Sequence, residues 1–257
     1  MSTITAEQVS SLRKRTGVGM LAVKKALEES NGDEEKAIEL LRKRGEAQAV
    51  KKGEREQKEG CVFLASTSGK AAIVSISCET DFVSRGEGFQ KAGQEFADFA
   101  LANGEDAVKK DAEAKVPEMV NTFGENISLA DVKIVEGTTV GSYVHSNNKI
   151  GVIISLEGGD EAKAKDVAMH AAAMAPAVVN PEEISDDLVT KEKEIWKEQL
   201  TAEGKPEEIQ EKIMIGKEKK FREESALMKQ DFVKDPSVTI EQYLEGAKVV
   251  EYVRFAV

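Results

Sequence analysis

The sequence predicts an α+β protein with a helical N-terminal module, a pseudo-duplicated core of strands and helices, and an inserted antiparallel helical hairpin. Three observations lead to this prediction. Apolar residues recur at helical spacing over 5–44, a strand–turn–strand–helix pattern occurs twice over 59–175, and a charged stretch with one central turn covers 186–224. The chain has 257 residues, which is enough to bury more than one hydrophobic core.

The N-terminal pattern predicts three short helices. Thr5 and Gln8 have the spacing of a capping box, in which each side chain accepts a backbone N–H of the other residue. Two glycines interrupt the pattern at 16–20, and Asn-Gly-Asp at 31–33 ends the second helix and caps the third. The polar stretch at 49–60 predicts a linker or an exposed helix, with few contacts across this boundary.

The middle of the chain contains two similar units. In each, two apolar strands flank a turn that ends in Lys, at 66–70 in the first unit and at 146–149 in the second. Helical stretches follow at 89–103 and 162–175, and a further helical segment at 105–123 separates the units. This repetition predicts a pseudo-duplicated α+β core, which the last residues close as a short strand.

The charged stretch predicts a helical hairpin. Of its 39 residues 21 are charged, and Glu-Gly-Lys-Pro at 203–206 separates two segments with sparse apolar residues at helical spacing. Such helices can bury little of their own surface, so we expect them to pack on another helix pair. Trp196 either anchors an interface with another molecule or fills the seam between the two helices.

Composition argues against several classes of function. The formal net charge is −11 and aromatic residues make up 5% of the chain. Proteins that bind single-stranded nucleic acid combine a positive groove with aromatic platforms, so we expect no direct nucleic-acid binding. No apolar run approaches the roughly 20 residues of a membrane helix and no signal peptide is visible, which predicts a cytoplasmic protein without membrane contact.

The titratable side chains form no catalytic or metal-binding pattern. The two cysteines, Cys61 and Cys78, and the two histidines, His145 and His170, lack the spacing of a zinc site. Both cysteines lie in predicted strands and are expected to be buried structural thiols, and His170 is expected in the core or an interface. We therefore predict no catalytic residue, no metal ligand and no cofactor, and hence a protein that is not an enzyme.

The stretch at 78–85, Cys-Glu-Thr-Asp-Phe-Val-Ser-Arg, is the most informative. A predicted strand ends there and a helix follows. In one interpretation Thr80 or Asp81 caps the helix and Phe82 packs against the core. In the other, Phe82 is an exposed aromatic wedge beside a carboxylate and enters a pocket of a partner.

Several stretches together closely resemble the bacterial elongation factor Ts family, whose members are guanine-nucleotide exchange factors of elongation factor Tu. No single motif carries chemistry, but the matches follow the family order over nearly the whole chain, so the combination is specific. The stretches are LRKRTGVGMLAVKKALEESNGDEEKAIELLRKRG at 12–45, CETDFVSRGEGFQ at 78–90, FGENI at 123–127, VGSYVHSNNKIGV at 140–152 and DVAMHAAAM at 166–174.

The resemblance implies a division of the chain that agrees with the pattern. It implies a ubiquitin-associated-like (UBA-like) helical module, a core in two subdomains, and a helical hairpin inserted into the second one. The expected parts are the UBA-like module at 1–50, a linker at 51–60, the first core subdomain at 61–137, the first part of the second at 138–185, a coiled-coil hairpin for dimerisation at 186–230, and the closing part of the second subdomain at 231–257.

The resemblance also implies a function and its residues. Members bind GDP-bound and nucleotide-free elongation factor Tu, disturb its Mg²⁺ and phosphate site, and promote GDP release so that GTP can bind. The residues expected to dislocate Mg²⁺ are Thr80, Asp81, Phe82 and Val83, and the other expected contacts with elongation factor Tu are Arg13, Met20, Leu21, Phe123, Gly124 and His145. A homodimer through 186–230 is also expected. The alternative is a non-catalytic scaffold or adaptor whose UBA-like module binds a partner.

Overall fold

The computed structural model describes residues 4–16 and 18–257, without the side chains at 46–48 and 50. Helices and small antiparallel sheets are combined in an α+β architecture. The helices are α1 Ala6–Thr16, α2 Met20–Glu29, α3 Glu34–Lys52, α4 Asp81–Ser84, α5 Glu87–Asn103, α6 Glu105–Phe123, α7 Glu161–Met174, α8 Asp186–Ala202, α9 Glu207–Ser225 and α10 Ile240–Leu244. The strands are β1 Glu59–Thr67, β2 Lys70–Cys78, β3 Ser128–Glu136, β4 Thr139–Val144, β5 Ile150–Glu157, β6 Asp231–Phe232, β7 Asp235–Thr239 and β8 Lys248–Ala256. Among the described residues, no helix is both long and apolar enough to cross a membrane.

Two three-stranded antiparallel sheets form the core. Their strand orders are β1-β2-β3 and β4-β5-β8, so in each sheet a hairpin is extended by a third strand that pairs with the hairpin's second strand. The predicted hairpins and the predicted closing strand are confirmed. The sequence prediction missed the edge strand β3, although Val132 and Ile134 alternate with polar residues as in a half-buried strand.

The two sheets pack face to face between layers of helices. Val62 of β1 and Ile153 of β5 share one buried cluster between the sheets. α5 and α6 cover the opposite face of the first sheet around the buried ring of Phe89, and α7 covers the second sheet. α5 approaches β1 closely because it has a glycine at the contact, where a Cβ on Gly93 would lie 2.1 Å from the ring of Phe63.

The N-terminal helices enclose a core of their own. Leu12, Val23 and Leu27 are fully buried between α1, α2 and α3. The predicted capping box is confirmed, since the backbone N–H of Gln8 donates to the hydroxyl of Thr5 at 3.2 Å and that of Thr5 donates to the Gln8 side chain at 3.0 Å. The glycine at 17, part of the predicted loop between α1 and α2, lies outside the described residues.

The boundary between these helices and the core differs from the expectation. The predicted linker at 51–60 is shorter, because α3 extends through Lys52 and β1 begins at Glu59. α3 packs on α6, where a Cβ on Gly45 would lie 2.8 Å from the carbonyl oxygen of Pro117. The side-chain amide of Asn126 also donates to the Arg55 carbonyl at 2.7 Å. The expectation of few contacts across this boundary is therefore wrong.

α8 and α9 lie side by side after the turn at 203–206. Trp196 is only 9% exposed, and its ring packs edge-on against Phe221 at 5.8 Å between centroids, so it fills the seam between the two helices. Arg222 fastens the base of the pair, since it donates to the Ile184 carbonyl at 2.9 Å and pairs with Asp186 at 3.1 Å.

Candidate protein-binding site

A short projection follows the end of β2. Thr80 has extended backbone (φ −131°, ψ 157°) and immediately precedes α4. The side chain of Phe82 is 87% exposed, more than any other large hydrophobic side chain in the described part of the chain. The interpretation of Phe82 as a residue packed against the core is therefore wrong. Phe82 is instead presented to solvent, where a partner can reach it, and the half-buried Asp81 beside it pairs with Arg85 at 3.4 Å.

The rest of α4 holds this projection to the core. Val83 packs against the hydrophobic cluster of the first sheet, and Ser84 is buried. Beneath them the thiol of Cys78 donates to the Thr80 carbonyl at 3.3 Å, and that of Cys61 to the Ser84 carbonyl at 3.5 Å. Burial raises the pKa of the Cys78 thiol to about 12 and also raises the pKa of Cys61. Both cysteines are buried, as predicted.

Two glutamates connect the projection to the loop after α6. The carboxylate of Glu125 accepts the backbone N–H groups of Glu79 and Thr80, each at 3.0 Å, and the Thr80 hydroxyl at 2.5 Å. In return, the Glu79 carboxylate accepts the backbone N–H of Asn126 at 2.6 Å. The side chain of Thr80 therefore does not cap α4. Sequence reasoning missed Glu125 because its partners lie 45 positions away, and a single sequence has no signal for such a pairing.

Phe123 and Gly124 lie directly before this loop and are therefore brought to the projection. Phe123 is half-buried, with its ring edge-on to Phe89 at 6.1 Å between centroids. Gly124 is exposed and ends α6 with a left-handed backbone (φ 79°), and its carbonyl accepts a hydrogen bond from Lys52 at the end of α3. Part of the expected role of Phe123 is thus structural, because its ring completes the core under α5.

The expected contact residues of the N-terminal helices lie on a separate surface. Met20 is 59% exposed and Leu21 is 68% exposed at the start of α2, and Arg13 is exposed on α1. All three side chains are therefore accessible to a partner protein. The docking of α3 on α6 connects this surface to the core.

His145 lies at the turn between β4 and β5. Its Nδ1 atom is 3.1 Å from the hydroxyl of Tyr143, and both residues border an apolar cleft of about 450 Å³ that also includes Met169 and Val233. The turn is connected to the projection by Gln90 of α5. Gln90 donates to the Ser84 carbonyl at 2.5 Å and accepts the Asn148 side-chain amide at 2.9 Å.

The other histidine serves the core. His170 is fully buried; its Nδ1 accepts the backbone N–H of Val233 at 3.2 Å and its Nε2 lies 3.0 Å from the side-chain oxygen of Gln230. Burial lowers the pKa of His170, which fits a neutral ring with its proton on Nε2. Within residues 4–16 and 18–257, no group of three or more His, Cys, Asp or Glu side chains is arranged to hold a metal ion.

Comparison with known proteins gives a consistent result. The sequence model described as "Elongation factor TS" matches residues 79–257. The chain is 46% identical to elongation factor Ts of Deinococcus radiodurans over 260 residues, covering 98% of each protein. It is 44% identical to elongation factor Ts of Francisella tularensis subsp. novicida over 269 residues, covering 100% of this chain and 93% of that protein. Matches of this extent show that the chain belongs to the elongation factor Ts family.

Proposed function

We propose that this protein is the guanine-nucleotide exchange factor of elongation factor Tu in translation elongation. It binds the GDP-bound and the nucleotide-free partner and accelerates GDP release, so that GTP can bind. Membership of the elongation factor Ts family supports the partner and the process. The observation that carries the proposal is the 87% exposure of Phe82 beside Asp81.

The exposure of Phe82 has a physical cost that a partner would remove. A solvated phenylalanine gains roughly 1.5–3 kcal/mol when it is fully buried, so leaving it in water at the end of a held projection favours a binding role. Aromatic side chains at the centre of an interface also contribute most to binding. We therefore assign Thr80, Asp81, Phe82 and Val83 as the wedge, in which Phe82 is the side chain that enters the partner and Val83 anchors the wedge on the core.

The mechanism that we propose requires no covalent step. The wedge enters the G domain of elongation factor Tu near the Mg²⁺ ion that neutralises the phosphates of GDP, and it displaces that ion from its position. If the factor weakens GDP binding, GDP must weaken binding of the factor equally. Exchange then has no preferred direction, and the ratio of free GTP to GDP determines the product. On this proposal the protein is not an enzyme and needs no cofactor.

The remaining expected contacts would hold the partner around the wedge. Arg13, Met20 and Leu21 would bind the G domain through the N-terminal helices, and Gly124 would face the nucleotide side of the partner next to Phe123. His145, with the apolar cleft beside it, would face another domain of elongation factor Tu. Binding at separate surfaces supplies affinity, while the wedge supplies the change at the nucleotide site.

Stopped-flow release of fluorescent GDP from purified elongation factor Tu tests this function. The intact protein is expected to accelerate release, and Phe82→Ala is expected to reduce the accelerated rate at least about tenfold, as for the loss of an anchor residue. Val250→Ala is the matched control, because Val250 is 65% exposed on β8 and outside the proposed interface. A scaffold or adaptor would bind elongation factor Tu without accelerating GDP release. If Phe82→Ala released GDP as fast as the intact protein does, the proposed wedge would be wrong.

We further propose that two copies associate through residues 186–230. The helix pair has four large apolar side chains that are exposed, and another helix pair would cover them. These are Leu188, Ile195, Ile209 and Ile215. Replacing 190–218 by a short Gly/Ser linker keeps the contacts of Arg222 with Ile184 and Asp186 at the base, and light scattering should then give the mass of one chain. A dimer that persists would place self-association elsewhere.

A further inference from the structure

The wedge helix α4 has only four residues, Asp81–Ser84. A helix of this length has no stability of its own, because forming a single turn costs more conformational entropy than its hydrogen bonds return. Its geometry is therefore set by the groups that hold its two ends. The N-terminal end is held by a side chain 45 positions away from Thr80, and the C-terminal end by a side chain on the following helix, α5.

Glu125 holds the N-terminal end. One carboxylate oxygen accepts two consecutive backbone N–H groups, of Glu79 and Thr80, and the other accepts the Thr80 hydroxyl. Hydrogen bonds to a carboxylate are roughly twice as strong as those between neutral groups. Three of them on one side chain fix both the position and the direction of the chain as it enters α4.

Gln90 holds the C-terminal end. Its side-chain N–H group donates to the Ser84 carbonyl at 2.5 Å, where the last carbonyls of a helix lack partners within the helix. Its side-chain oxygen accepts the amide of Asn148 at 2.9 Å, in the turn that carries His145. The same side chain therefore connects the wedge to the turn between β4 and β5.

We infer that Glu125 and Gln90 are positioning residues, which hold the wedge in the orientation that opens the nucleotide site and keep it in register with the turn of His145. The inference rests on the exchange function proposed above. Neither residue needs to touch the partner. A wedge held in advance loses little conformational entropy on binding, and a misplacement of about 1 Å can cost a large factor in rate.

Loss of Glu125 should lower the maximum rate of GDP release and leave the half-saturating concentration of the factor nearly unchanged. Without Glu125 the surfaces around Met20, Leu21 and His145 still bind elongation factor Tu, so the concentration of factor that gives half the maximum rate should change less than about twofold. The maximum rate of GDP release should fall about tenfold, the size expected for losing charge-assisted hydrogen bonds that hold a group in place.

The experiment compares full-length variants at each end of the wedge. Glu125→Ala removes both acceptor oxygens and with them all three hydrogen bonds. Glu125→Gln keeps one oxygen for the backbone N–H groups and should restore most of the maximum rate. Gln90→Met keeps the length of the side chain but removes its hydrogen bonds to Ser84, Asn148 and the Cys61 sulfur. Glu113→Ala is the control, since Glu113 is an exposed carboxylate on α6.

Two measurements are made on every variant. Amide hydrogen exchange followed by NMR in the free protein reports the mounting of the wedge directly, and the Thr80 amide should lose at least about tenfold protection in Glu125→Ala. Stopped-flow GDP release, measured over a range of factor concentrations, then gives the maximum rate and the half-saturating concentration. Melting temperatures identify any variant that fails for lack of stability, in which case Glu125→Gln and Gln90→Met carry the test.

Lost protection with a lowered maximum rate and rescue by Glu125→Gln supports the inference. Unchanged protection of Thr80 in Glu125→Ala overturns it, as does lost protection with an unchanged maximum rate. Phe82→Ala in the same assay distinguishes this failure from failure of the proposed function. If Phe82→Ala still slows release, the wedge acts without needing the hydrogen bonds of Glu125 and Gln90. If Phe82→Ala does not slow release, the proposed exchange function through the wedge is itself wrong.

Discussion

Phe82 and Phe89 are seven positions apart and have opposite environments. Phe82 is 87% exposed on α4, whereas Phe89 is fully buried in the core of the first sheet, next to Phe63 and Phe123. Hydrophobicity alone does not distinguish them, since both are phenylalanines near the start of a helix. Their difference at the residue scale is that one side chain stabilises the fold and the other is available to a partner.

The two phenylalanines give a matched prediction about stability. Phe89→Ala should lower the free energy of unfolding by roughly 3–5 kcal/mol, because it removes a buried ring and leaves a cavity. Phe82→Ala should change it by less than about 0.5 kcal/mol, as for an ordinary surface substitution. Urea unfolding followed by circular dichroism measures both. A large loss of stability in Phe82→Ala would mean that its ring packs on the core in solution.

The buried thiols give a second prediction. A raised pKa keeps a thiol protonated, and the thiolate is the species that reacts, so Cys78 with a pKa of about 12 should be inert near pH 8. Cys61, whose pKa burial also raises, should be similarly slow. Ellman's reagent should therefore detect almost no thiol in the native protein and two after unfolding in guanidinium. Rapid reaction of the native protein would show that α4 opens and exposes them.

At the scale of elements, the contact of α3 with α6 determines where the N-terminal helices lie. Gly45 of α3 faces the backbone of α6, and a Cβ there would lie 2.8 Å from the carbonyl oxygen of Pro117. Gly216 of α9 has no atom within 4 Å of the position of its missing Cβ. Both glycines are inside helices, so alanine raises the helix propensity at either position. Only at position 45 does it also disturb a close contact between two helices.

The prediction concerns Gly45→Ala and Gly216→Ala. Alanine favours a helix by roughly 1 kcal/mol over glycine, so Gly216→Ala should raise the melting temperature slightly. Gly45→Ala should lower it despite the same gain, because α3 must move away from α6. Trypsin should also cleave the connecting segment near Arg55 faster in Gly45→Ala. If both variants gained stability equally, the two helices would not be in close contact.

At the scale of the whole molecule, α8 and α9 form an insertion that leaves the core and returns to the same place. The backbone N–H of Ala177 donates to the Ser225 carbonyl at 2.9 Å, and that of Leu227 donates to the Val178 carbonyl at 2.9 Å. The second sheet is then completed by β8, which pairs with β5. The segment after the insertion is fastened to α7 by the hydrogen bonds of His170.

This arrangement predicts how stability depends on pH. Because burial lowers the pKa of His170 below its ordinary value of 6.5, the unfolded chain binds a proton that the folded chain does not. The stability that the neutral His170 contributes is fully present above pH 6.5 and is lost as the pH falls through and below that value. Protonated Nδ1 would also face the N–H of Val233, so one hydrogen bond would be lost.

Urea unfolding at pH 7.5 and at pH 5.5 measures this dependence. The intact protein should lose more stability over this range than His170→Gln, which has no group titrating at that position. The difference between the two proteins in how the free energy of unfolding changes with pH is the effect of His170, because the titrating carboxylates are the same in both. Equal slopes would show that His170 titrates alike in the folded and unfolded chains.

The sequence by itself determined the features that depend on residues close to each other in the chain. The capping box of Thr5, the hairpins and the helices after them follow from spacing and turn residues, which act over a few positions. The resemblance to elongation factor Ts also came from the sequence, and the family matches confirm it. The burial of both cysteines was predictable for the same reason, since each lies in an apolar strand pattern.

The tertiary structure alone decided which side chains are exposed and which distant groups meet. Local pattern favoured a Phe82 packed on the core, which is wrong, and left Trp196 between two roles, because burial depends on what packs against a residue. The pairing of the glutamates at 79 and 125 with the projection and the loop after α6 had no signal, since a hydrogen bond across 45 positions leaves no periodicity in one sequence. Spacing along the chain can therefore predict helices and strands, whereas the hydrogen bonds that hold the wedge form only once those elements are packed together.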